Sequence, residues 1–331
     1  MSTSGEMLIL SDWNKKHLAY AIPKSLIALL NKNYSNYQVV FNDENFNKED
    51  VRFYFGNLPM EKSLRNYCNL EWVHFGSIGI DKLSDKFIKD HSLTITNGAK
   101  TNTSSVVTYC LGELFRSCKS GFISRNCKDH KELTRDYFNN YYQHMIDYKD
   151  IDVTILGYGD IGKELVEILS PLISSLKVVT RNKRENFNNV EFYSLNDIDL
   201  AMEDISHLIN VLPLHESTYK IINEVNLNNA CGYYYICAGR AETHSIDAIL
   251  DSINNGFLRG ASLDVHGLPN GQIQPSVLKN KNVNLSPHIS GWTKNFWNNQ
   301  EDIIMHNLGC FDTSNVKGMK NLIYNKGVRE K

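Results

Sequence analysis

The sequence lacks the features of a secreted, membrane-bound or nucleic-acid-binding protein. No apolar stretch is long enough to span a bilayer, and the first residues do not combine a basic region, an apolar core and a small-residue cleavage site. The net charge of -2 and the pI of about 6.6 give no bulk attraction to nucleic acid or to a membrane surface. We therefore expect a cytoplasmic protein with neither kind of partner.

The chain has no cysteine-rich motif and no linker rich in proline or serine. The seven cysteines are odd in number and include no C-x-x-C pair, which favours reduced thiols over a disulfide framework or a zinc site, so we expect no metal. No internal repeat occurs at a fixed period. A chain of 331 residues with 42% apolar residues suits two domains of ordinary size.

A glycine-rich turn is the most informative feature that is present. The apolar run 153–156 leads into Gly157, Tyr158, Gly159, Asp160, Ile161 and Gly162, an amphipathic run follows over 164–169, and a strand-like run over 176–180 closes a βαβ unit. Gly157 permits the tight turn, Gly159 lets the backbone approach a pyrophosphate, and Gly162 lets the helix pack on the strand. The pattern predicts a dinucleotide site; the alternative is a chance glycine turn.

The residues after the second strand of this unit favour NADP(H) over NAD(H). An acid at this position binds the ribose 2′-hydroxyl of NAD, whereas cations accommodate the 2′-phosphate of NADP. The chain has Thr180, Arg181, Asn182, Lys183 and Arg184 here and no acid. An arginine fork matches phosphate geometry. The alternative is a solvated basic turn.

Strand-like and helical runs alternate along both halves of the chain, which predicts an α/β fold with doubly wound parallel sheets. A helix over 104–117 leads out of the first part, and a helix-like segment over 293–311 returns to it. We predict a first domain of residues 1–102 plus 294–331 and a second of residues 103–293. Strands are expected at 7–10, 39–41, 51–55, 72–75, 93–96, 153–156, 176–180, 208–211, 234–237, 260–264 and 283–285.

Three polar residues stand at the ends of predicted strands in the second half. Ligands of open α/β sheets lie outside the carboxyl ends of the strands. Arg240 follows one buried strand, Asp264 ends another and His288 follows a third. An arginine there can clamp a carboxylate, and a histidine can exchange the proton that accompanies hydride transfer.

With these motifs the chain resembles the D-isomer-specific 2-hydroxyacid dehydrogenase family over most of its length. Residues 209–218 resemble its loop beside the nicotinamide, residues 236–247 its arginine segment, and residues 282–291 its P-H-x-x-G segment. Residues 72–81 resemble its substrate loop. Residues 96–97 and 105–109 resemble its hinge and linking helix, with Thr108 where the family has glutamate.

The resemblance implies two Rossmann-like domains, the first of them flavodoxin-like, with cofactor and active site in the cleft between them. It implies a small 2-oxo or 2-hydroxy acid as substrate and a homodimer in which the helix over 104–117 and the arm 122–148 wrap a partner subunit. Cofactor contacts are expected at the glycine turn and at Thr180, Arg181, Asn182, Leu212, Pro213, Thr218, Cys237, Ala238, Asp264 and Gly291, and substrate contacts at Ser77, Ile78, Gly79 and Trp292.

The catalytic residues that the resemblance implies are Arg240 and His288. Arg240 would bind the carboxylate of a 2-oxo acid and polarise its carbonyl, and His288 would protonate the alkoxide that forms when hydride reaches C2. Asp264 would lie near the cofactor or hold local structure.

One departure from the family lies five residues beyond Asp264, where the family has a glutamate that pairs with the histidine. This chain has Pro269, and no acid occurs between Asp264 and Glu301. A histidine without its carboxylate loses a charge that favours the imidazolium. Gln272 or Gln274 could orient His288, an acid could arrive from the first domain, or activity could be lost.

The sequence therefore supports three hypotheses of function. The first is an NADPH-preferring reductase of a small 2-oxo acid. The second is a catalytically impaired nucleotide-binding sensor or scaffold. The third is a family member with different chemistry, in which oxidation of a formate-like or phosphonate-like donor yields no alkoxide and needs no strong acid.

Overall fold

The computed structural model describes residues 7–11, 22–41, 45–56, 61–80, 83–119, 142, 145–182, 184–229, 231–265, 273 and 275–330. The chain divides into two compact units, residues 1–102 with 292–331 and residues 103–291. The division predicted from the sequence differs from this one at one boundary only, because it starts the C-terminal segment of the first part at residue 294 instead of residue 292. We call the two parts unit 1 and unit 2.

Strands and helices alternate through both units. In chain order the strands are β1 (Met7–Ser11), β2 (Tyr37–Phe41), β3 (Val51–Gly56), β4 (Trp72–Phe75), β5 (Thr94–Asn97), β6 (Asp152–Leu156), β7 (Ser175–Thr180), β8 (Val190–Ser194), β9 (His207–Asn210), β10 (Tyr233–Cys237), β11 (Leu258–Leu263), β12 (Val283–Leu285), β13 (Leu322–Asn325) and β14 (Val328–Arg329). The helices are α1 (Lys24–Asn33), α2 (Glu61–Leu64), α3 (Asp85–Asp90), α4 (Thr103–Cys118), α5 (Asp160–Leu169), α6 (Ile198–Ala201), α7 (Glu224–Leu227), α8 (Ile246–Asn254), α9 (Pro275–Lys279) and α10 (Glu301–Asp312).

Unit 1 contains one seven-stranded sheet in the order β14-β13-β5-β4-β3-β1-β2. Strands β1 to β5 pair in parallel, whereas β13 pairs antiparallel with both β5 and β14. The 2-1-3-4-5 order of the parallel strands is the flavodoxin-like order. Every residue of β4 is buried, as expected for a central strand with both faces covered.

Unit 2 contains a second seven-stranded sheet in the order β8-β7-β6-β9-β10-β11-β12, with every pair of strands parallel. Successive residues of β10 pack into two different apolar clusters, Tyr233, Tyr235 and Cys237 in one and Tyr234 and Ile236 in the other. Because side chains alternate across a strand, the sheet has a core on each face. The strand order reverses between β6 and β9, which is where such sheets bind ligands.

The α/β class with parallel sheets is confirmed, one local prediction needs correction, and β8 and the hairpin of β13 and β14 were not predicted. The segment predicted as helix over 293–311 forms turns and a short 3-10 helix up to residue 300, and α10 begins at Glu301. Asn295, Asn298 and Asn299 favour turns over helix. The hairpin of β13 and β14 was missed, although Lys326 and Gly327 at its turn both have positive φ, as a type I′ turn requires. No helix within the described ranges is long and apolar enough to cross a bilayer.

Candidate active site

The glycine turn connects β6 to α5 at the point where the strand order of unit 2 reverses. Gly157 has φ +109°, a conformation that only glycine adopts easily. A Cβ atom on Gly162 would lie 2.0 Å from the carbonyl oxygen of Gly157, so this position must be glycine for α5 to start so close to the turn. A Cβ on Gly159 would have no atom within 4 Å. The backbone at Gly159 is therefore open to a ligand.

The N-terminus of α5 can hold an anion. Gly159 is the N-cap and contributes no side-chain cap, so the first backbone N–H groups of Asp160, Ile161 and Gly162 are available to a pyrophosphate. Asp160 and Gly159 are exposed and Ile161 is half-buried. The turn thus has the backbone geometry and the open space that a dinucleotide needs, and these residues fit NAD(P)(H).

The end of β7 carries the basic turn predicted from the sequence. Thr180 is buried, whereas Arg181 and Asn182 are exposed. The guanidinium carbon of Arg184 lies 4.9 Å from the ring centroid of Tyr158, within the range of a cation–π contact. This contact places a second arginine next to the glycine turn. Lys183 lies outside the described residues.

The ends of β9 and β10 are tied together by Asn210. Its amide nitrogen donates to Tyr235 Oη and to Thr243 Oγ1, both at 2.9 Å, and its Oδ1 accepts from Leu212 N at 3.0 Å. Thr243 Oγ1 in turn donates to the carbonyl oxygen of Arg240 at 2.5 Å. Asn210 therefore helps to place the backbone of Arg240, a role that sequence reasoning missed.

Arg240 begins a 3-10 turn after β10, and its side chain is half-buried. Its Nη1 donates to the carbonyl oxygen of Gly239 at 3.0 Å. A Cβ on Gly239 would lie 2.6 Å from the carbonyl oxygen of Leu212, so glycine is required where the two strand ends meet. Cys237 and Ala238 are buried just before it, and burial raises the pKa of the Cys237 thiol to about 11. Burial therefore favours the protonated form of the Cys237 thiol at neutral pH.

The loop after β9 uses its own side chains to fix its shape. Thr218 Oγ1 lies 2.7 Å from the carbonyl oxygen of Pro213 and accepts from His215 N at 2.9 Å. Thr218 is buried, whereas Pro213 is exposed. The Thr218 hydroxyl thus holds the loop that starts at Leu212.

Asp264 directly follows β11 and holds the backbone of residues 286–291, which we call the His288 loop. It is fully buried. Its Oδ1 accepts from Ser286 Oγ at 2.6 Å and from Ile289 N at 2.8 Å, and its Oδ2 accepts from Ser290 N at 2.8 Å. Of the two roles that the sequence left open, these contacts support the structural one.

His288 lies three residues past β12 and is exposed. Its φ of +56° puts it in the left-handed region, which is uncommon for a residue other than glycine. Its backbone N–H is shared between the carbonyl oxygens of Asp264 and Ser286, at 3.1 and 3.0 Å. Hydrogen bonds therefore join the chain segment around Asp264 to the segment around His288. Gly291, half-buried, ends this loop.

Arg240, Asp264 and His288 follow β10, β11 and β12, which are neighbours in the sheet. Because these strands are parallel, the three residues converge on one edge of unit 2, the edge that also carries the glycine turn after β6. Positions 266–272 and 274, which include Pro269, Gln272 and Gln274, lie outside the described residues.

The predicted substrate residues belong to unit 1. Ser77 Oγ donates to the carbonyl oxygen of Gly79 at 3.1 Å, and the amide nitrogen of Asn97 donates to the carbonyl oxygen of Ile78 at 2.7 Å. These bonds fix a loop in which Ile78 is 41% exposed. The ring of Trp292 stacks on Phe296 at 4.1 Å. Trp292 therefore packs within unit 1.

Comparison with known proteins identifies the family. Residues 122–290 match the NAD binding domain of the D-isomer specific 2-hydroxyacid dehydrogenases. The chain belongs to this family. Glyoxylate/hydroxypyruvate reductase A from Enterobacter sp. (strain 638) is 27% identical over 158 residues, which are 47% of this chain and 51% of that protein, so the match spans about half the length of that relative.

Two solved structures share the fold of the chain. The NAD-dependent formate dehydrogenase from Staphylococcus aureus, in complex with NAD, superposes with a TM-score of 0.76 at 16% identity, covering 93% of this chain and 96% of that one. An NADPH-dependent glyoxylate/hydroxypyruvate reductase from Sinorhizobium meliloti gives a TM-score of 0.75 at 18% identity, covering 98% and 99%. At these identities the likeness shows the fold alone.

Proposed function

We propose that this family member is an oxidoreductase that transfers hydride between a nicotinamide cofactor and C2 of a small 2-oxo or 2-hydroxy acid. The observation that carries the proposal is that Arg240, the hydrogen-bonded segments of Asp264 and His288, and the glycine turn lie on one edge of the unit 2 sheet. The relatives named as glyoxylate/hydroxypyruvate reductases support this substrate class.

The residues of the chain have separate roles in this reaction. The glycine turn and the N-terminus of α5 hold the pyrophosphate of the cofactor, which supplies hydride to C2 when bound. Arg240 binds the substrate carboxylate, because a guanidinium matches carboxylate geometry. His288 donates a proton to the oxygen at C2 in reduction and removes it in oxidation.

The rate of cofactor oxidation with 2-oxo acids tests the proposal. Purified protein is mixed with NADPH or NADH and with glyoxylate, hydroxypyruvate or larger 2-oxo acids, and the absorbance of the reduced nicotinamide is followed. We expect turnover with at least one acid. Cofactor binding without turnover on this panel would contradict the proposal and favour a sensor or scaffold, and reduction of NAD(P)⁺ by formate would favour the divergent chemistry.

We expect NADPH to bind more tightly than NADH, and Arg181→Ala to remove most of the difference. The end of β7 has no acid, Arg181 is exposed, and Arg184 lies against Tyr158 beside the turn. A charge-assisted hydrogen bond contributes roughly 1.5–3 kcal/mol, so the Kd for NADPH should rise about 10- to 100-fold in calorimetry.

The Kd for NADH should change less than about twofold in the Arg181→Ala variant, since NADH lacks the 2′-phosphate. Lys279→Ala on α9 is the control, because it removes one positive charge from another part of the same unit. Equal losses for both cofactors, or the same loss in the control, would contradict a 2′-phosphate contact.

We further propose a homodimer in the cytoplasm, by the resemblance to the family. Most of the arm 122–148 that would wrap the partner lies outside the described residues. Light scattering tests the assembly, since a homodimer has twice the 37.9 kDa mass of the chain, and a monomeric mass at micromolar concentration would contradict it.

A further inference from the structure

One face of α4 carries the polar residues Ser105, Tyr109 and Glu113. These residues are spaced four apart and therefore lie on one side of the helix. Ser105 Oγ donates to the carbonyl oxygen of Ser290 at 2.7 Å, Tyr109 Oη lies 3.1 Å from Ser286 Oγ, and Glu113 Oε2 accepts from Asn284 Nδ2 at 3.0 Å. We call these three residues the α4 polar face.

The α4 polar face contacts β12 and the His288 loop in reverse order. Ser105 meets residue 290, Tyr109 meets residue 286 and Glu113 meets residue 284. The Glu113 carboxylate also accepts from Ser262 Oγ on β11 and from Arg116 at 2.7 Å. A paired carboxylate at one end and a backbone contact at the other fix the helix in register with the loop.

Tyr109 contacts the His288 loop through Ser286. A serine hydroxyl carries a single proton, and a carboxylate only accepts. Ser286 Oγ donates toward Asp264 Oδ1 at 2.6 Å and toward Tyr109 Oη at 3.1 Å, so the Tyr109 oxygen is one of the two atoms that fix the direction of the Ser286 hydroxyl. Burial raises the pKa of Tyr109, so the group that receives this bond is a neutral hydroxyl.

We propose that Tyr109 is a positioning residue that acts on His288 through Ser286 and Asp264. The Tyr109 hydroxyl orients Ser286, Ser286 fixes Oδ1 of Asp264, and Asp264 receives the N–H groups of Ile289 and Ser290 that hold His288 at its positive φ. A left-handed residue other than glycine persists only where its surroundings hold it. The effect of these hydrogen bonds on catalysis rests on the proposed function, in which His288 transfers the proton.

Tyr109→Phe tests the proposal by removing only the hydroxyl. Tyr233→Phe is the matched control, because Tyr233 is also in unit 2 and its hydroxyl also makes a buried hydrogen bond, to the carbonyl oxygen of Leu227 at 2.8 Å, far along the chain from the His288 loop. Amide hydrogen exchange at residues 289 and 290 reports the loop, and kcat, KM and the Kd for NADPH report the site.

In Tyr109→Phe we expect amide exchange at residues 289 and 290 to accelerate about three- to tenfold, the effect of losing one hydrogen bond. The kcat should fall by a similar factor, while the Kd for NADPH stays within about twofold, since the glycine turn is untouched. Tyr233→Phe should change none of these. If Tyr109→Phe does not fold, Ser286→Ala breaks the same chain of bonds and should accelerate exchange at least as much.

Exchange and kcat in Tyr109→Phe equal to those in Tyr233→Phe would overturn the proposal. The proposed function fails separately, if the wild-type protein turns over none of the acids. In that case the exchange rates alone decide whether Tyr109 positions the loop.

Discussion

Replacing His288 with asparagine is expected to lower kcat/KM for reduction of a 2-oxo acid by about 10²- to 10⁴-fold, the usual contribution of a positioned proton donor. Asparagine is the best replacement because it tolerates the left-handed backbone that His288 adopts at φ +56°. The hydrogen bonds from Ile289 and Ser290 to Asp264 are then preserved. Steady-state kinetics with glyoxylate and NADPH measure the effect.

The matched control for this prediction is His306→Asn. His306 is exposed on α10 in unit 1, where its Nε2 contacts the carbonyl oxygen of Gly318. We expect kcat/KM in the control to remain within about twofold of the wild-type value and the Kd for NADPH to be unchanged in both variants. A loss of less than tenfold in His288→Asn would show that the reaction needs no acid at this position.

The second large effect is a loss of stability of unit 1 between pH 6.5 and 4. His74 on β4 is fully buried. Its Nδ1 lies 2.8 Å from Thr96 Oγ1 and its Nε2 lies 3.1 Å from Gln300 Oε1. Gln300 Nε2 donates to the carbonyl oxygen of Phe296 at 3.2 Å, which leaves its Oε1 to accept from the Nε2–H of His74. This arrangement suits a neutral imidazole.

Burial lowers the pKa of His74 from 6.5 to about 4. The unfolded chain binds a proton at this residue near pH 6.5 and the folded chain only near pH 4, so the unfolded state gains the proton first as pH falls. The contribution of His74 to stability is present above pH 6.5 and is lost progressively below it. Each pKa unit corresponds to about 1.4 kcal/mol, so the loss is about 2 kcal/mol at pH 5 and about 3 kcal/mol near pH 4.

Tryptophan fluorescence during urea unfolding measures this effect in unit 1 alone. No tryptophan occurs in residues 103–291, the range of unit 2, whereas Trp72, Trp292 and Trp297 lie in unit 1. We expect the free energy of unfolding to fall by at least the His74 contribution between pH 7.5 and 5, and we expect His74→Asn to show a drop smaller by about 2 kcal/mol because it cannot titrate. An equal drop in both proteins would contradict the assignment to His74.

The parts of the site that depend on short stretches of backbone were predictable from the sequence. The requirement for glycine at 157 and 162 follows from one strand-turn-helix segment, and the structure explains both by a positive φ and a 2.0 Å approach. The alternation of strands and helices likewise predicted parallel sheets. Arg240, Asp264 and His288 each follow a predicted strand. They lie on one edge because the three strands are neighbours in the sheet. Their catalytic roles stay predictions.

The parts that depend on contacts between distant residues were not predictable. Asp264 holds the amides of residues 289 and 290, which lie 25 and 26 residues away along the chain. Tyr109 reaches Ser286 from a helix 177 residues away. In the sequence Tyr109 is only one more residue of an amphipathic helix. Asn210 was hidden in the same way, because an asparagine at the end of a strand gives no sign of the three groups that it joins.

The central claim is that this edge of unit 2 brings a reduced nicotinamide and a 2-oxo acid together for hydride transfer. A single turnover with excess protein, NADPH carrying deuterium at both positions of C4 of the nicotinamide and each 2-oxo acid of the panel in turn, followed by mass spectrometry of the product, tests it most directly. The account predicts a 2-hydroxy acid with one deuterium at C2, formed at least about 100-fold more slowly by His288→Asn. Bound NADPH that keeps its deuterium with every acid of the panel would contradict it.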